Sequence, residues 1–245
     1  MSERIRLDLA LEQRSLVPSR ARARDAILRG TVTINGVTAV KANQMVGRED
    51  KLALSDPAAN YVSRAALKLV AGLDAGAIKV QDKTCLDVGA STGGFTQLLM
   101  ERGARKIYAV DVGHDQLHQR LKGSDRVVSM EGVNARDLDA ETIPEPIDLL
   151  VSDISFVSVT KVLAAPLALC AATADAVILF KPQFEVGRQN VGKGGIVTSQ
   201  EAVDTALTEV IAFIEQQGFQ HRLAVPSPIS GGDGNQETVL VFSRA

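Results

Sequence analysis

A mostly parallel seven-stranded α/β sheet, Rossmann-like and preceded by a small α+β unit, is predicted by three observations. From Thr84 onward, short apolar runs alternate with amphipathic stretches, the pattern of a sheet covered on both faces. The run Thr84 to Val88 is broken by Gly89, Gly93 and Gly94, and helical spacing resumes from Phe95 to Glu101. That is a strand, a glycine turn and a helix start. Residues 4 to 54 carry two short helical patterns and an Asn35-Gly36 dipeptide between β-branched runs, a strong hairpin signal.

In the small unit, Leu7, Leu9, Ala10 and Leu11 mark a first helix. Ser19 is placed to cap a second over 20–29 that ends at Gly30. Strands are expected at 31–34, 37–40 and 51–54. Residues 55–60, with Asp56-Pro57, read as a linker, and the domains divide at 1–59 and 60–245. A helix over 61–76, with Ser63 near its start, carries an apolar stripe with Lys68 standing inside it. Strands follow at 84–88, 106–110, 126–130, 147–152 and 174–180, with helices at 93–102, 115–122, 159–170 and 199–217. The runs 220–225 and 238–243 read as a C-terminal antiparallel hairpin.

Composition excludes several classes. The chain has 245 residues and an apolar share of 45%, but no apolar run approaches the ~20 residues a bilayer span requires. Its first six residues are too charged to open a secretory signal. Cys85 and Cys170 sit in apolar runs and read as thiols in a reducing, cytoplasmic compartment. The three histidines lack the company a metal site needs, so no metal is expected. The net charge of −2 hides an asymmetry. Residues 1–60 hold ten Lys and Arg against seven Asp and Glu, the remainder 17 against 22. A basic front on an acidic body suggests that the front holds a polyanion. A monomer is expected.

The glycine turn is not a phosphate loop. It lacks the Lys-Ser/Thr of a Walker motif and the G-x-G-x-x-G of a dinucleotide site. Asp87 ends the first strand and Asp111 the second. One carboxylate can pair with an amino group, and the other can accept both hydroxyls of a ribose. A ligand with an amino-acid end and a nucleoside end fits, and S-adenosylmethionine is that ligand. Further strand ends carry Asp153-Ile154-Ser155-Phe156 and Lys181-Pro182-Gln183-Phe184-Glu185, and a late loop leads to Glu237.

Residues Arg6-Leu7-Asp8, Ser19-Arg20, Ala23, Ile27, Gly30, Val32, Asn35 and Gly36 resemble the S4 RNA-binding domain. The resemblance implies a basic surface on which Arg4, Arg6, Arg20, Arg22 and Lys41 contact phosphates, and Arg64 is a further RNA-binding candidate. The unit has no aromatic residue, which argues against base stacking by it. The strand ends resemble the FtsJ-type ribose 2′-O-methyltransferases, whose Lys-Asp-Lys-Glu tetrad maps onto Lys68, Asp153, Lys181 and Glu237. The two halves in this order resemble the TlyA family, also called hemolysins. Tyr61-Val62-Ser63-Arg64 matches the family's opening, and Ala65-Ala66 departs from its usual Gly-Gly or Gly-Ala. The segment Glu131 to Leu138 matches the part expected near the adenine.

The resemblance implies S-adenosylmethionine bound by Asp87, Gly89, Ala90, Ser91, Thr92, Gly93, Gly94, Phe95, Asp111, Asn134 and Asp153. It implies methyl transfer to a ribose 2′-hydroxyl, of cytidine, in ribosomal RNA. Lys181 is then the general base and Asp153 orients it, while Lys68 and Glu237 position the ribose. Two other readings stay open. One is a non-catalytic ribosome- or RNA-binding factor. The other is a pore-forming hemolysin, against which the lack of a signal, a span or an amphipathic membrane helix argues.

Overall fold

The structure is a computed structural model and describes residues 4–231 and 233–244. The chain forms two compact units, Met1–Asn60 and Tyr61–Ala245.

The first unit runs β1 (Ile5–Arg6), α1 (Leu7–Gln13), α2 (Arg20–Leu28), β2 (Val32–Ile34), β3 (Val37–Thr38), β4 (Met45–Val46) and β5 (Leu52–Leu54). Ser19 caps α2 as its spacing implies, its Oγ accepting from the Arg22 N–H at 3.3 Å. Asn35 and Gly36 have φ of 51° and 84°, so both turn residues are left-handed and the hairpin twists with its strands. β2 lies between β3 and β5. β1 pairs with β4, an addition to the expected strands, because two-residue strands carry no readable period. Leu7, Leu11, Ile27, Val32 and Val46 form the core. Arg29 fastens Asp56 through two hydrogen bonds of 2.7 and 2.6 Å, so part of the expected linker packs with this unit.

The second unit opens with an irregular segment rather than the expected helix from Tyr61. The Val62 N–H donates to Gln97 Oε1 at 2.7 Å, and α3 starts only at Ala66, ending at Ala75. There follow β6 (Thr84–Val88), α4 (Gly94–Glu101), β7 (Lys106–Asp111), α5 (Gln119–Lys122), β8 (Val127–Glu131), β9 (Ile147–Ser152) and α6 (Ala164–Ala168). The chain closes with β10 (Cys170–Phe180), α7 (Pro182–Glu185), α8 (Gln200–Gln216), β11 (Gln220–Pro226) and β12 (Thr238–Ser243). The helix expected over 115–122 shrinks to α5, since Asp115 sits at φ 54°. The helix expected over 159–170 is split. Pro166, lacking an N–H, fits only a first helical turn, and Cys170 already pairs with Ile147 in the sheet.

The sheet order is β11-β12-β10-β9-β6-β7-β8, parallel except for the pairings of β12. Its alternating side chains feed two cores. Leu86, Val88, Leu150 and Ile178 face one side. Cys85, Leu149, Val151 and Val177 face the other, under Leu69, Leu73, Phe95 and Leu99 of α3 and α4. The chain steps outward from β6 to β8 and then returns to β9 on the other side of β6. Beyond the carboxyl ends of β6 and β9 the connections part, and a crevice opens there.

Candidate active site

The turn after β6 lies against the loop after β9. Gly89 has φ of 84°, and a Cβ there would come within 3.3 Å of the Ile154 backbone. Ser91 is left-handed too, at φ 47°. Its N–H donates to Asp111 Oδ2 at 2.8 Å, and the Gly113 N–H donates to Oδ1 at 2.7 Å. Each carboxylate oxygen keeps a lone pair for another donor. These residues line a cavity of about 510 Å³ together with Asn134, Asp153 and Phe156. Its remaining wall is largely valine and isoleucine. Asn134 also caps the short turn after it, accepting from the Arg136 N–H at 3.1 Å.

Ala90, Thr92, Gly94 and Phe95 line a smaller chamber of about 130 Å³, with Ser63 and Lys181. A third cavity of about 340 Å³ holds Arg64, Lys68, Asp153, Lys181 and Glu237. Asp153 and Ser155 line all three.

At this junction four ionisable side chains from four elements meet. Lys68 comes from α3, Asp153 from the end of β9, Lys181 from the end of β10 and Glu237 from the step into β12. Lys68 Nζ lies 2.5 Å from Glu237 Oε2 and 3.6 Å from Asp153 Oδ1. Lys181 Nζ lies 2.7 Å from the same Asp153 oxygen. It also donates to the Asp153 carbonyl at 3.1 Å and to Ser155 Oγ at 2.7 Å. Asp153 Oδ1 and Glu237 Oε2 meet the ammonium groups as close ion-pair contacts rather than as aligned hydrogen bonds. Lys68, Lys181 and Glu237 are 7%, 6% and 2% exposed. Burying charges exacts several kcal/mol per ion before pairing returns it, so an arrangement this dense is poor evidence of a stabilising device. Gly231 makes room for it, since a Cβ there would fall 2.7 Å from Glu237 Oε1.

Two residues expected at the cofactor line none of these three cavities. Asp87 is fully buried, under α4. Its Oδ2 accepts from the Thr96 hydroxyl at 2.6 Å, and its Oδ1 has no hydrogen-bond partner. The reason is strand alternation, which puts Asp87 on the Cys85 face. Burial, with Asp153 and Asp111 nearby, pushes its carboxyl up to about 7 against the Thr96 hydrogen bonds. Gly93, at φ 95°, faces α5: a Cβ would fall within 2.8 Å of Leu117 and closer still to Leu121.

In the first unit, Arg4 and Lys41 are exposed. Arg6 and Arg20 converge on Asp8. Arg22 donates to the Ala58 carbonyl at 2.8 Å. Arg64, in the second unit, donates to the Ser230 carbonyl at 3.4 Å.

The sequence reading assigned no role to Ser155, Phe156 or Phe184. Phe156 is 91% exposed with φ of 71°, and its ring packs on Phe184 at 5.5 Å between centroids. A large aromatic in a left-handed conformation is strained by about 1–3 kcal/mol, and such strain clusters at functional sites. The available signal was an aromatic placed in a loop straight after a buried strand and an aspartate.

Comparison with known proteins agrees with this geometry. The FtsJ-like methyltransferase family matches residues 61–244 and the S4 domain matches residues 5–52. A Mycobacterium tuberculosis protein named 16S/23S rRNA (cytidine-2′-O)-methyltransferase TlyA is 42% identical over 98% of this chain and 90% of its own. Hemolysin A of Brachyspira hyodysenteriae is 39% identical over 97% of this chain and 99% of its own. A solved structure of a candidate hemolysin from Streptococcus thermophilus superposes with a TM-score of 0.76 at 33% identity, over 100% of this chain and 90% of that one. The chain therefore belongs to the TlyA family, in which an S4 domain precedes an FtsJ-like, S-adenosylmethionine-dependent methyltransferase domain.

Proposed function

We propose that this protein methylates the 2′-hydroxyl of a cytidine ribose in ribosomal RNA. The observation that carries the reading is the meeting of Lys68, Asp153, Lys181 and Glu237 where the cofactor groove joins a polar cavity open to solvent.

The residues suit the donor. Asp111 keeps one lone pair on each oxygen for a ribose diol. The valine-lined cavity suits an adenine, and the close approach at Gly89 leaves backbone as the floor. Ala90, Thr92, Gly94 and Phe95 would border the amino-acid end. When bound, S-adenosylmethionine supplies a methyl group made electrophilic by its sulfonium. Asp87 supports the turn from below, through Thr96.

The chain's own residues handle the acceptor. A ribose hydroxyl is a weak acid, so its proton must leave as the oxygen bonds to carbon. Lys181, carrying a lone pair, takes that proton as the C–O bond forms and the C–S bond breaks. Asp153 and Ser155 aim its Nζ. Its two hydrogen bonds, to the Asp153 carbonyl and Ser155 Oγ, use the two N–H bonds of the neutral amine and leave the lone pair for the ribose proton, while the Asp153 carboxylate lies close enough to stabilise the ammonium that forms. Lys68, held by Glu237, borders the acceptor cavity and fixes the ribose oxygen in line with the methyl group. Phe156 offers an exposed ring to the acceptor base beside the same cavity. The S4 unit binds the RNA backbone through arginine and lysine.

The test is transfer from methyl-labelled cofactor to ribosomal RNA lacking the modification. Nuclease digestion should release the label as 2′-O-methylcytidine. Label recovered on a base, or none transferred, would refute the assignment.

A further inference from the structure

Asp8 is fully buried yet has three cationic partners. Arg6 reaches it through Nε and Nη2 at 2.9 and 3.1 Å, Arg24 through Nε at 3.1 Å and Arg20 through Nη2 at 3.2 Å. The Leu9 N–H adds a bond of 3.1 Å. Neutrality asks for one cation. Three arginines on one carboxylate leave a local surplus of two positive charges.

A pair in the same unit shows what a structural contact looks like. Arg29 grips Asp56 with both terminal nitrogens, and the two side chains are only 13% and 5% exposed. Around Asp8 the arginine side chains keep exposures of 39%, 42% and 53%. Each guanidinium has five N–H donors, and Asp8 takes one or two from each. Beyond Asp8 the three side chains still reach solvent, fixed by a carboxylate that their own charge holds far below its usual range, Arg6 foremost. Fixed forks of N–H donors match the oxygens of a phosphodiester in a way that free lysines do not. Arg22, by contrast, turns toward the Ala58 carbonyl.

We propose that Asp8 organises a phosphodiester-binding site made by Arg6, Arg20 and Arg24, with Arg24 a direct contact and Asp8 a positioning residue. The proposal rests on the RNA-binding reading and adds to it which side chains act as one site, and why a buried acid belongs there.

The consequence runs against simple charge counting. Removing a negative charge from a polyanion-binding surface ordinarily tightens binding. Here Asp8→Asn should loosen the three arginines and weaken it. Binding of the full chain to 16S and 23S ribosomal RNA transcripts would be measured across a potassium chloride series, with circular dichroism to confirm folding. Folded Asp8→Asn is expected to bind on the order of tenfold more weakly, and its log–log salt slope to fall by about one to two. Folded Asp8→Asn that binds as well as wild type, or better, overturns the proposal. If Asp8→Asn loses its structure, Arg24→Gln decides, since that side chain is half exposed. A slope lower by about one supports the site, and an unchanged slope and affinity overturns it. Wild-type protein that fails to bind either transcript would sink the RNA-binding reading itself, and this site with it.

Discussion

Lys181 and Asp87 show how position along a strand decides what a charged side chain can do. Lys181 follows the last residue of β10, beyond the sheet, and meets Asp153 and Ser155 at the crevice. Lys181→Ala should lower the rate of methyl transfer by about 10²–10⁴-fold, the span of general base catalysis. Titration calorimetry should find cofactor affinity nearly unchanged; a variant that keeps wild-type turnover would remove Lys181 from the chemistry. Asp87 lies one residue inside β6 and is therefore sealed. Its carboxyl ionises near 7 in the fold against 3.8 in the unfolded chain. Between those values the folded chain holds a proton that the unfolded chain has lost. The stability it contributes is complete below about pH 4 and is lost as pH rises toward 7, by up to about 4 kcal/mol. Urea unfolding from pH 4 to 8 should therefore show a decline in wild type that Asp87→Asn flattens. Parallel curves for the two proteins would contradict this.

Elements carry the site only because they pack closely. Gly72 of α3 sits where a Cβ would come within 2.7 Å of both Val177 and Val239. Those valines belong to β10 and β12, the strands that deliver Lys181 and follow Glu237. Gly72→Ala should destabilise the protein by about 1–3 kcal/mol, seen by calorimetry as a lower melting temperature. An unchanged melting temperature would mean that α3 can lift away without loss. Asn235 acts on the loops in a similar way. Its Oδ1 accepts from the Val197 N–H at 3.0 Å and its Nδ2 donates to the Gly195 carbonyl at 2.8 Å. It thereby fixes the 192–197 loop to the stretch that carries Glu237. Asn235→Ala should lower kcat roughly tenfold, since small misplacement at a site is costly, with cofactor affinity intact; loss of affinity alone would contradict that role.

Apolar runs alternating with amphipathic stretches made the parallel sheet legible, because strands covered on both faces are apolar throughout. A strand's period of two, counted from Cys85, places Asp87 on the face under α4, so its burial there was also readable. The irregular start at Tyr61 was not, because Gln97, distant in sequence, supplies the partner for Val62. The left-handed Phe156 likewise depends on packing between loops. Lys68, Asp153, Lys181 and Glu237 each looked misplaced for a sheet protein. Only the family resemblance said that they meet, since spacing along a chain does not encode convergence.

At the scale of the molecule, charge and chemistry are divided between the two units. The first holds the surplus of arginine and lysine, and the second the buried tetrad. Among the described residues, no helix is long and apolar enough to cross a membrane. RNA affinity should therefore depend on salt through the first unit. Lys41→Glu should weaken binding to ribosomal RNA and lower the salt slope by about one; a filter-binding series with an unchanged slope would exclude Lys41 from the contact. Methylation of ribose by a lysine-based site is tested most directly by mass-spectrometric mapping of ribosomal RNA after incubation with labelled cofactor and either wild type or Lys181→Ala. The expected result is 2′-O-methylcytidine with wild type and almost none with the variant, while both bind S-adenosylmethionine. Equal 2′-O-methylation by the two proteins, or modification of a base, would contradict it.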